Sequence, residues 1–69
     1  MSNISYDVLT ALQSKLEALA AYDIYMDDCE ETGDESIRQV FERMRADDDR
    51  HVDLLRQTLE KMVREGNFR

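Results

Sequence analysis

The chain has no proline and no tryptophan, a single cysteine, and glycine at only two of its 69 positions. Each shortage removes an option. Without proline nothing forces a helix to kink, and with glycine only at 33 and 66 the chain has two natural places to turn. One thiol, Cys29, cannot close an internal disulfide. No window approaches eighteen consecutive apolar residues, so no helix is expected to span a membrane. The opening "MSNISYDVL" is polar and has no basic leader, so no signal peptide is expected. The expected location is the cytoplasm or a compartment assembled within it.

Positive charge is also scarce. Nine Lys and Arg stand against sixteen Asp and Glu, for a formal charge of -7. That balance disfavours nucleic acid and anionic membranes as partners, and suits either cations or solubility. A chain this short buries too little surface alone, and the usual remedies are disulfides, a metal or partner subunits. With an internal disulfide excluded, the last two remain.

What the chain does contain is helix-forming sequence. Leu, Ala, Met, Glu, Arg, Asp and Gln predominate between the glycines, several of them strong helix formers. The one visible break is "ETGDES", where Gly33 suits the left-handed end of a helix and Asp34 the cap of the next. Glu35 then complements the dipole of the second helix from its first turn. A single domain over 1–69 is expected, with helix one at about 5–31 and helix two at about 35–64. Leu9, Leu12, Leu16, Leu19 and Met26 follow steps of three and four, with Asp23 interrupting. Ile37, Val40, Met44, His51, Leu55, Thr58 and Met62 trace a similar line through position 48. Such spacing marks helix-packing seams rather than sheet.

A short turn makes the helices antiparallel, and two helices alone leave the outer part of each apolar face wet. The expected fold is therefore all-α: an antiparallel two-helix hairpin that assembles by dimerisation into a four-helix bundle, with repetition into a ring or shell as a further option.

The line on helix two has a polar gap at "RADDDRHVDLL". Asp48 and His51 are three residues apart, share a face, and can converge on one cation. Asp47 can flank the same point, while Asp49 turns away. An inward carboxylate must be satisfied by hydrogen bonds, exposure or a metal. A hairpin centred near Gly33 sets Ala18 opposite Asp48 and Lys15 opposite His51, with Glu17 alongside. One chain gathers only two or three ligands, so a metal centre needs Glu17, Asp48 and His51 from two subunits. The plainer alternative is a partly exposed histidine whose acidic neighbours pair with Arg45 or Arg50. Tyr25 can cover such a centre or simply pack its ring. Met26, Met44 and Met62 belong to the apolar spacing, and Cys29 is expected to pack rather than do redox chemistry. The acids from Asp27 to Glu35 either gather cations or solvate the turn.

The stretch from 16 to 59, "LEALAAYDIYMDDCEETGDESIRQVFERMRADDDRHVDLLRQTL", resembles the ferritin-like superfamily, most closely its encapsulated-ferritin branch. That resemblance implies a half-ferritin hairpin that dimerises and assembles into an annular decamer. It implies a di-iron centre at the dimer interface that oxidises Fe²⁺ with oxygen, and a separate shell protein that stores the mineral. Asp48 and His51 are similar to the family's acidic-x-x-His ligand pair, with aspartate in place of the usual glutamate. Tyr25 resembles the aromatic near that centre, 26 residues before His51, and Glu17 an acidic residue by which metal enters. Catalytic roles would then fall to Asp48, His51 and Tyr25, and metal binding to Asp48, His51 and Glu17. The departure is Ala18, where the family places a bridging glutamate. Two Asp and two His remain as the core of a symmetric dimer, a set suited to one zinc, manganese or iron ion rather than an oxygen-activating pair. The tail "MVREGNFR" is not of the Gly/Leu-rich kind that addresses a shell. Two alternatives stand beside ferroxidase chemistry: a non-enzymatic structural or interaction protein on the same helical module, and a mononuclear metal-binding assembly.

Overall fold

The computed structural model describes residues 2–68. It is an all-α hairpin of two 30-residue helices, α1 (Asn3–Thr32) and α2 (Glu35–Arg64), packed along each other. The molecule is a rod of 50 × 16 × 11 Å. Its length follows from the helices, each about 45 Å at 1.5 Å per residue.

Local chemistry sets the ends. Ser2 caps α1 by accepting the amide of Ser5 at 3.2 Å. The helix therefore starts two residues before the expected position, because the cap is Ser2 rather than a residue further along. At the other end Gly33 turns left-handed (φ 76°), which lets its amide reach the Glu30 carbonyl and the Asp34 amide reach that of Cys29. These two bonds satisfy carbonyls that the end of a helix otherwise leaves open. Asp34 then accepts the Ile37 amide at 3.1 Å and starts α2. Gly66 (φ 71°) repeats the device beyond α2, where the Asn67 amide bonds the Met62 carbonyl at 2.8 Å.

Cross-helix ion pairs hold the register between the turn and the middle. Arg38 reaches Glu30 at 3.3 Å and Arg45 reaches Asp23 at 2.9 Å. The interior is thin. Among the described residues the buried apolar side chains are Tyr22, Cys29 and Val52, joined by the polar Ser5 and Asp48. Leu16, Ile24, Tyr25, Ile37, Val40, Met44, Leu54 and Val63 all remain exposed. This follows from geometry, since a helix with one neighbour can cover only one side. Polar residues fill the outer side of α2, whereas α1 carries apolar side chains around much of its circumference.

Candidate functional site

Halfway along the hairpin, Asp48 interrupts the apolar line of α2 and points at α1. Lys15 and Tyr22 lie seven residues apart, two turns on one face of α1, and bracket Ala18. Their side chains close on Asp48 from either side. The Lys15 ammonium donates to Asp48 Oδ1 at 2.8 Å, and the Tyr22 hydroxyl donates to Oδ2 at 2.9 Å. His51, one turn further along α2, brings Nδ1 to 3.2 Å from Oδ1. For that contact to be a hydrogen bond, Nδ1 must carry the proton, which in the neutral ring leaves Nε2 as an acceptor. Nε2 has no partner among the described residues.

Exposure grades outward across the cluster. The Asp48 side chain is 10% exposed, Lys15 37% and His51 51%. The Lys15 ammonium, then the Tyr22 hydroxyl, and less strongly His51, hold the Asp48 carboxyl below its ordinary range against the opposing pull of burial. The hydrogen bond to Asp48, followed by burial, pushes the Tyr22 phenol above its ordinary value, so it stays protonated as a donor. Every buried side-chain nitrogen and oxygen among the described residues has a hydrogen-bond partner.

The other expected site residues are placed elsewhere. Glu17 lies on an exposed flank of α1, accepting from Gln13 Nε2 at 3.4 Å and lining a shallow apolar groove with Leu9, Leu12, Leu16 and Ala20. Within one chain it does not join Asp48. Tyr25 is 44% exposed and packs its ring, 5.2 Å from Phe41 and edge-on to Tyr22 at 6.3 Å. Asp47 pairs with Arg50. Cys29 is buried beneath the turn, where burial first, then Asp34 and Asp28, raise its thiol pKa. Such a thiol is a poor nucleophile.

Asp48 and His51 are thus brought together, but the partners that complete the cluster are Lys15 and Tyr22. Sequence reasoning set Lys15 opposite His51 and gave Tyr22 no role. A usable signal was there: positions three before and four after Ala18 share its face, and both carry side chains long enough to reach across. The donor set within one chain does not fit a metal ion. Asp48 Oδ1 is occupied by an ammonium, and no three His, Cys, Asp or Glu side chains among the described residues are grouped to hold one. The lysine supplies internally the positive charge that a bound cation would have brought.

Compared with protein-family models, with curated proteins and with solved structures, the chain matches none. What the structure defines is a class by architecture: an all-α helical hairpin with a Lys–Asp–Tyr–His cluster centred on the buried Asp48.

Proposed function

We propose that this chain is a non-enzymatic, self-associating helical hairpin, a half-bundle of ferritin-like design that pairs with a second copy. The observation that carries this reading is the combination of a charge-neutralised centre with uncovered apolar side chains. Asp48 is paired with Lys15 and hydrogen-bonded by Tyr22, so the centre needs no ion. Ile37, Val40 and Met44 on α2, and Leu16 and Ile24 on α1, stay exposed in a single hairpin. Covering them in a partner supplies the burial that a chain of this size otherwise lacks. The test is the mass of the purified chain in chelator by light scattering. A dimer or larger species is expected, and a monomer at tens of micromolar would overturn the reading.

A second reading has one observation in its favour: the half-exposed His51 keeps Nε2 uncommitted beside Asp48. Two copies placed with these groups facing would offer a site for iron, zinc or manganese, with Glu17 and Tyr25 as further candidates. It requires Lys15 to withdraw from Asp48. Calorimetric titration of the assembled wild-type chain with Zn²⁺ or anaerobic Fe²⁺ separates the readings. Stoichiometric uptake, with ferrous oxidation faster than the uncatalysed rate, would favour the metal centre. Uptake only after Lys15→Ala would favour the pinned cluster.

A further inference from the structure

Where the two helices join, an apolar depression opens inside the most acidic part of the chain. We propose that it docks a basic segment of a different protein, with an apolar side chain of that segment seated against Tyr25, Ile37 and Phe41 and its arginines or lysines meeting the acids around Gly33.

The shape of the depression favours a peptide side chain. Its apolar lining is Tyr25, Cys29, Ile37 and Phe41, and its polar lining Asp28, Thr32 and Asp34. The Tyr25 and Phe41 rings pack at 5.2 Å, while Tyr25 and Ile37 remain 44% and 46% exposed. The volume is about 250 Å³. That is below the roughly 300–1,000 Å³ of small-molecule pockets, so it suits one or two anchoring side chains rather than a whole ligand. The exposed Tyr25 ring is also open to a guanidinium.

Charge complementarity selects a basic occupant. Residues 27–38 carry six acids and one base, a net of -5. The base, Arg38, is already shared among Glu30, Glu35 and Glu42. The Asp34 carboxylate is engaged by the Ile37 amide and the Ser36 hydroxyl. Asp27, Asp28 and Glu31 meet no base among the described residues. They stand in the last turns of α1, where no basic side chain offsets the negative end of the helix dipole. An incoming base therefore relieves repulsion as well as gaining attraction. Burial first, and then Asp34 and Asp28, raise the Cys29 thiol pKa, so the negative field reaches into the depression. A bare metal ion is a poorer match, because most of the lining is apolar and no three His, Cys, Asp or Glu side chains among the described residues are grouped to hold one.

The probe is a short fluorescent peptide with a central leucine flanked by arginines, compared with its counterpart carrying glutamates for arginines. Anisotropy is measured on the wild-type chain, with its mass followed in parallel by light scattering. The arginine peptide is expected to bind saturably, less tightly as salt is added, and the glutamate peptide not at all. Asp28→Asn combined with Glu31→Gln should weaken binding about fivefold, the effect of losing two partly exposed ion pairs. Ile37→Ser should weaken it by about fivefold as well, through lost apolar contact. Leu54→Ser, equally apolar and 62% exposed but further along α2, should leave it unchanged. Circular dichroism confirms that each variant stays helical. No saturable binding up to about 1 mM, equal binding of the two peptides, or indifference to the Asp28 and Glu31 changes would overturn the proposal. So would a fall in the chain's mass as peptide is added, which would make a second copy the occupant. A monomer that binds the arginine peptide would overturn self-association and leave this proposal standing.

Discussion

At Asp48 three donors from both helices meet one carboxylate, and the consequences can be measured. The ammonium is partly exposed, so its worth is reduced by solvent. Lys15→Met is expected to cost about 1–2 kcal/mol, the low end for a hydrogen bond to a charged group. Urea unfolding reads that loss, and carbon-detected NMR titration should show the Asp48 carboxyl moving up toward its ordinary range. The direction of the pH dependence follows. Asp48 has a folded pKa below its unfolded value near 3.8, so its contribution is complete above that value and is lost as pH falls through the folded pKa. Stability should therefore fall below about pH 4 in the wild type, and this slope should flatten in Asp48→Asn, which is expected to cost about 1–3 kcal/mol at neutral pH. Tyr22 acts at the other extreme: its phenol is raised, so its contribution holds below its ordinary value near 10.0 and is lost as pH rises through the folded one. Cys29 gives an independent check of packing beneath the turn. Its buried, raised thiol should react slowly with a disulfide reagent when folded and promptly in denaturant.

At the scale of elements, the helix ends are decided by single residues. Gly33 sits at φ 76° with open space where a Cβ would go, so the cost of a side chain there is conformational rather than steric. Gly33→Ala should lose about 1–2 kcal/mol, the penalty of the left-handed region, while D-alanine introduced by chemical synthesis should lose little or none. Circular dichroism melts of the two chains make the comparison. The turn was legible in the sequence because its chemistry is local: "TGDE" contains the left-handed residue, the cap and the first-turn acid in order. The hairpin and its all-α class followed from the same stretch and the spacing around it. The site was legible only in half. Asp48 and His51 share one helix, so their proximity follows from spacing alone. Lys15 and Tyr22 come from the other helix, and counting across the turn gives a single opposite residue, Ala18. A carboxylate beside so small a residue is instead reached by longer side chains from the turns before and after it. Glu17 shows the converse limit: next to Ala18 in sequence, it is turned to a different flank of the helix.

For the whole molecule, the rod buries few apolar side chains of its own, which makes its hairpin packing thin and leaves large apolar side chains on its surface. Val52, at 6% exposure, is among the apolar residues inside. Val52→Ala should cost about 1.5–2 kcal/mol at ~0.8 kcal/mol per buried carbon. Met44→Glu, on the exposed stripe, should leave the helical spectrum of an isolated hairpin intact while weakening the proposed association, because it sets a charge among exposed apolar side chains. Together these two variants separate folding from assembly. Val52→Ala should lower stability at every protein concentration, whereas Met44→Glu should chiefly remove the concentration dependence that association lends to stability.

Lys15 already meets the charge of Asp48, and in the proposed assembly the apolar faces, not a metal, hold copies together. Sedimentation equilibrium of the wild-type chain dialysed against chelator tests it most directly. A mass of two or more chains is expected, unchanged when Zn²⁺ or Fe²⁺ is returned. A monomer in chelator that dimerises on adding either metal would contradict it.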